Sequence, residues 1–203
     1  MTKSRPDDIM IMGKIIAVSG VARAGKDSWI SFASEYLTER GQTCAEFAFA
    51  NQLKSDLEAF VLEKFGIDIW TDDTEQKTKI RDLMVAYGRI QRVHSNGQYW
   101  IDKIRPLVTA CPADIIFISD CRYPNDEVDF IHGAGGIVIH ISRYSSDWLG
   151  TFKDYRDGAN DEERKNDPLV KNKADFRFEW PDFGDNKEAG RQLVWEFLNK
   201  NKI

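Results

Sequence analysis

The sequence predicts an α/β protein: a roughly five-stranded parallel sheet with helices on both faces, built as one domain. Three observations predict it. Short apolar, β-branched runs ("KIIAVSG", "DIIFISD", "GGIVIHIS") alternate with longer stretches of helical periodicity. The 203 residues suit one domain, or one with a small insertion, and a chain of this size buries roughly 70% of its unfolded surface. Charged motifs follow several strand ends, where ligands bind in such sheets.

Each element has its own signal. Residues 1–13, "MTKSRPDDIMIMG", read as a loose leader. Residues 14–20 form a buried parallel strand ending in glycine. Residues 26–40 place Trp29, Phe32, Ala33, Tyr36 and Leu37 on one helical face, and Gly41 ends it. Residues 43–49 are a second strand. A helix follows, with Asn51 as N-cap and Leu53, Leu57, Phe60 and Val61 inward. Residues 74–88 are helical, with Ile80, Leu83, Met84 and Tyr87 on one side. A helix over 99–108 turns Trp100, Ile104 and Leu107 to a core. Residues 114–120 are the third strand, and a short helix then carries Val128, Phe130 and Ile131. "GGIVIHIS" is the fourth strand. Residues 143–167 show charge and little periodicity and read as a loop or flap. "ADFRFEW" gives a fifth strand, and a last helix carries Leu193, Val194, Phe197 and Leu198.

Net charge is −5, which argues against broad nucleic-acid binding but leaves room for a local basic cluster around a small phosphorylated ligand. Cys44, Cys111 and Cys121 are far apart, so neither a zinc site nor a disulfide framework is indicated, and a reducing cytoplasm fits. No apolar run reaches about 18 residues, so no membrane partner is expected. His94, His132 and His140 are scattered and read as structural or exposed.

The segment "GVARAGKDS" carries the chemistry. Gly20, Gly25 and Lys26 match the phosphate-binding pattern G-x-x-x-x-G-K-[ST], between a strand and a helix. Glycines let the backbone wrap an anion, and free N–H groups at the helix start point at it. Lys26 can reach the β- and γ-phosphates. Asp27 stands where a hydroxyl is expected, and Ser28 supplies one a residue later. Asp27 is either a first-turn residue favoured by the helix dipole or a magnesium ligand, with Ser28 as the alternative. Arg23, Arg122, Arg143, Arg156 and Arg164 offer guanidinium groups for a transferring phosphoryl group. Asp120, beside Arg122 at a strand end, can hold magnesium through water, accept the acceptor's hydrogen, or cap a turn.

In order, "SGVARAGKDS", "FAFANQLK", "LMVAYGRIQR…YWID", "SDCRYPNDEV" and "GGIVIHISR" resemble the bacteriophage deoxynucleoside monophosphate kinases, which belong to the adenylate-kinase-like P-loop kinases. The resemblance runs over about residues 14–143 and includes the GKD variant. It implies a P-loop three-layer sandwich with a nucleoside-monophosphate-binding region over about 50–108 and a lid over about 143–167. It implies ATP and Mg²⁺ as cofactors, with ATP on Gly20, Val21, Arg23, Ala24, Gly25, Lys26, Asp27 and Ser28 and near Arg143. It further implies Lys26, Asp120 and Arg122 as catalytic residues, and Lys54, Arg89, Arg92, Trp100, Asp120 and Arg122 around the acceptor. It allows a homodimer. The "YGRIQR" segment departs from the family's more usual "LGT" pattern.

The expected reaction is reversible transfer of the ATP γ-phosphoryl group to a nucleoside 5′-monophosphate, whose phosphate is already a nucleophile. Two alternatives remain open at this point. One is a kinase of similar outline with another acceptor, such as a dephospho-coenzyme A or phosphomevalonate kinase. The other is a non-catalytic nucleotide-binding regulator, in which Trp148 and Trp180 mark a partner surface.

Overall fold

The computed structural model of the protein describes residues 11–146, 152–184 and 186–203. The expected leader lies outside the described residues up to position 10, and so does Trp148. Five parallel strands run in the order β2 (Cys44–Phe47), β3 (Ile115–Cys121), β1 (Lys14–Ser19), β4 (Ile137–Ser146), β6 (Phe176–Pro181). A sixth strand, β5 (Lys153–Tyr155), pairs antiparallel with the end of β4, Tyr144 opposite Tyr155. The parallel sheet and flanking helices are those predicted, with β5 added.

Period-two alternation assigns the two faces of the sheet. Ile16 and Val18 of β1 pack with Trp29 and Leu37 of α1 (Lys26–Thr38) and Val194 and Leu198 of α7 (Lys187–Asn201). Ile15 and Ala17 face the other way, onto Phe49 of α2 (Phe49–Phe65), Trp100 and Ile104 of α4 (Gln98–Ala110) and Val128 and Ile131 of α5 (Glu127–Gly133). Trp29 is fully buried, with edge contacts to Phe117, Phe178 and Phe197 at 6.2–6.4 Å. A third apolar cluster joins Leu57 and Val61 of α2 to Ile80 of α3 (Thr74–His94), with Ile67 and Ile69 of the connecting segment.

Several sequence expectations need correction. Helix α2 begins at Phe49, so Asn51 lies inside it and is not the N-cap; Ala48 holds that position. Phe60 and Leu107 are exposed rather than inward, because the burial stripes pass through Val61 and Val108 instead. Helix α3 continues past Gly88 to His94. Residues 143–167 are not one irregular flap. β4 runs on to Ser146, β5 follows, and α6 (Asp161–Lys173) begins there. Periodicity missed α6 because Val170 is its one buried residue. Its caps were legible: the Asn160 side chain accepts the Glu163 N–H, three acids fill the first turn and two lysines the last.

Candidate active site

The turn between β1 and α1 takes the shape its glycines allow. Gly20 (φ +133°) and Gly25 (φ +91°) adopt backbone that L side chains avoid. A Cβ on Gly20 would collide with the Ile141 carbonyl oxygen of β4, and one on Gly25 with the Trp180 ring. Trp180 fixes the turn from behind, its indole N–H donating to the Ala24 carbonyl at 2.9 Å. Arg23 sits exposed at φ +62°. Val21 and Ala24 are buried and anchor the loop in the core.

Lys26 folds back over this loop. Its ammonium donates to the carbonyls of Gly20 (2.8 Å) and Val21 (3.0 Å). Burial lowers its pKa below the ordinary value and the Arg122 charge adds to this, while Glu163, Asp27 and Asp120 oppose. The loop also holds an anion: the Ala22 N–H donates to the Glu163 carboxylate at 3.2 Å. A cation at the cradle and an N–H already bonded to a carboxylate fit the phosphate of a nucleoside triphosphate. Asp27 and Ser28 are exposed on the first turn of α1. They offer two oxygen donors beside the cradle, which suits Mg²⁺ held mostly by phosphate oxygens and water. No cluster of three or more acidic, His or Cys residues placed to bind a metal occurs among the described residues.

A cavity of about 370 Å³ opens from this loop between α2, α3, α4 and α6. Gly20, Val21 and Ala22 form one end. Lys54, Lys77, Arg81, Arg89 and Arg122 bring positive charge to its walls. Ile69, Ile80, Met84, Val85 and Trp100 make an apolar floor. Trp100 is buried, its N–H donating to the Gly88 carbonyl at 3.2 Å, which leaves its ring on the cavity side. Lys54 lies 5.0 Å from the centre of the Trp70 ring, and its pKa is lowered by burial and then by Lys77. Lys77 and Arg81 were missed in the sequence, although with Arg89 they recur at multiples of four along α3.

Three predicted site residues, Arg92, Asp120 and Arg143, are engaged by partners within the protein, although Arg92 and Asp120 also line the cavity. Arg92 bonds Asp126 (3.2 Å) and Glu127 (2.8 Å) and lies 3.3 Å from the centre of the Tyr123 ring. It borders the cavity, but its guanidinium clasps α3 to the start of α5. Asp120 accepts the backbone N–H groups of Phe49 and Ala50 and thereby caps α2. Its partner Arg122 is half-exposed at the cavity wall and pairs with Glu163 at 3.5 Å. Arg143, inside β4, does not line the cavity. It pairs with Asp182, as Arg156 does. Arg164 bonds the Gly158 carbonyl and Asp161. Buried His140 pairs with Asp167 at 3.0 Å, the structural role expected.

Sequence reasoning also passed over Glu127. Fully buried, it accepts the N–H groups of Arg122 (2.6 Å) and Tyr123 (3.2 Å) and so fixes the turn that presents Arg122. Burial pushes its carboxyl up to about 7 against the pull of Arg92. Among the described residues no helix is long and apolar enough to cross a membrane.

No protein-family model matches the chain, and no curated protein matches it in sequence. Solved structures with a similar fold include a shikimate kinase from Acinetobacter baumannii in complex with shikimate (14% identity, TM-score 0.46, 95% of this chain and 97% of that one). A shikimate kinase from Aquifex aeolicus is similar at 16% identity (TM-score 0.46, 93% and 98%). An APS kinase from Mycobacterium tuberculosis is similar at 13% (TM-score 0.42, 93% and 98%). At this identity the likeness concerns fold, and the functional reading rests on the cavity's own residues.

Proposed function

We propose that the protein transfers the γ-phosphoryl group of ATP to a (deoxy)nucleoside 5′-monophosphate. One observation carries the reading: a single cavity joins the Gly20–Ala22 end of the phosphate loop to a basic wall over an apolar, aromatic floor. The loop suits the donor's phosphates. Across the cavity, Lys54, Arg81 and Arg89 suit the acceptor's phosphate, and the floor suits a flat, weakly polar ring. A phosphate acceptor is already an anionic nucleophile and needs no strong base, so charge neutralisation and alignment make up most of the chemistry.

Lys26 turns from the loop carbonyls to the donor phosphate. Arg122 stands between the loop and the basic wall, where it can neutralise charge on the group in transit. Asp120 acts by position, because it fixes the start of the helix that carries Lys54. Mg²⁺, held beside Asp27 or Ser28, supplies further charge neutralisation when bound. The test is ADP formation from ATP across a panel of nucleoside and deoxynucleoside monophosphates, with dephospho-coenzyme A, phosphomevalonate and shikimate as rival acceptors. Turnover confined to nucleotides supports the proposal. Turnover with a rival alone, or tight ATP binding with no turnover, overturns it.

A further inference from the structure

We infer that Glu163 is an internal anion seated in the donor-phosphate cradle, and that a donor binds by displacing it. The inference rests on reading the loop as the donor site and adds to it a built-in competitor.

Three acids fill the first turn of α6, and only one turns to the loop. Asp161 points outward and pairs with Arg164. Glu162 accepts the Tyr123 hydroxyl at 2.5 Å. Glu163 sends its carboxylate inward, where the side chain is 11% exposed. One oxygen accepts the Ala22 N–H of the loop (3.2 Å) and the Ala159 N–H (2.9 Å), and the other faces Arg122 at 3.5 Å. A loop amide and a guanidinium therefore converge on one carboxylate, the pairing expected for a phosphate oxygen. Lys26 completes this self-satisfied state by bonding the loop's own carbonyls. A polyphosphate brings more charge than one carboxylate and reclaims all three donors.

The competitor has an anchor that survives displacement. Asn160 caps the Glu163 N–H, and the Ala159 N–H, two residues before α6, donates to the Glu163 carboxylate. Glu163 can thus leave Ala22 without unwinding its helix. The contact ties α6 to the loop when no donor is present, and it weakens donor affinity by the cost of displacing it.

Calorimetric titration of the full chain with MgATP and with inorganic tripolyphosphate tests this in Glu163→Gln, Glu163→Ala and Asp161→Asn. Both Glu163 variants are expected to bind tripolyphosphate at least about fivefold tighter than the parent, the loss of roughly one charge-assisted contact from the competing state. Asp161→Asn removes the same charge from the same turn and is expected to change affinity less than about twofold, because it is exposed and screened. Unchanged or weaker binding in the Glu163 variants overturns the inference, as does an equal gain in Asp161→Asn. If Glu163→Ala does not fold, Glu163→Gln, whose amide oxygen still accepts from Ala159 and Ala22 but which has lost the charge that faces Arg122, decides the matter. No tripolyphosphate binding by any form overturns it too. Tighter tripolyphosphate binding without phosphoryl transfer to any acceptor leaves the inference standing and removes the proposed function.

Discussion

The Asp120 carboxylate at the end of β3 accepts the backbone N–H of Phe49, the first residue of α2, at 2.8 Å. Its second oxygen takes the next amide, Ala50, at 2.7 Å. A charge on the sheet thereby sets where α2 begins and how it enters the cavity. Asp120→Asn places an amide NH₂ against one of those N–H groups. It should cost about 2 kcal/mol in urea unfolding. The acceptor KM should rise more than kcat falls, because Lys54 shifts with the helix. A fall in kcat at constant KM and stability would return Asp120 to the chemical role first expected of it.

Arg89 and Arg92 lie three residues apart on α3 and should behave differently. Arg89→Ala should raise the acceptor KM about tenfold or more, with stability and ATP affinity nearly unchanged, since a charge-assisted contact to phosphate is worth roughly 1.5–3 kcal/mol. Arg92→Ala leaves Glu127 buried without its cation and should lower stability by about 3 kcal/mol. Steady-state kinetics and urea unfolding on the two variants check the split.

Glu127 should give stability a pH dependence of definite sign. Burial raises its folded-state pKa from 4.5 to about 7. The folded protein therefore binds this proton more tightly than the unfolded chain. Its contribution is fully present below about pH 4.5 and lost as pH rises through 7. Between pH 5 and 8 the parent should lose up to about 3 kcal/mol relative to Glu127→Gln, which cannot titrate. Arg92, Asp120 and the Arg122 and Tyr123 amides face it. Parallel stability–pH curves for the two proteins would contradict this.

Gly25→Ala puts a methyl group into the Trp180 ring at a positive φ. It should abolish measurable ATP binding and destabilise the fold by more than about 1 kcal/mol, since both the steric and the backbone penalty apply. Calorimetry and thermal melting check it.

The sheet and the loop were legible because their signals are local. An apolar run such as "DIIFISD" and the spacing from Gly20 to Lys26 depend on no other part of the chain. The basic wall of the cavity was legible only in part. Ending α3 at Gly88 separated Arg89 from Lys77 and Arg81, although Gly88 sits inside a continuous helix. Arg92 and Asp120 carry charges that suit substrate, yet they meet Glu127 and the start of α2, partners more than thirty and about seventy residues away. Helix α6 buries almost nothing, so periodicity gave no sign of it, and the carboxylate it brings to the loop comes from 141 residues along the chain. Such pairings arise in tertiary packing and leave no trace in spacing.

The most direct test follows the γ-phosphoryl group itself. With γ-labelled ATP and a panel of nucleoside monophosphates, the wild type should yield labelled nucleoside diphosphate. Lys26→Ala, folded by thermal melting, should yield none, because the loop has lost the cation that meets the donor. Label appearing only as inorganic phosphate, or equal diphosphate from both proteins, would contradict the account.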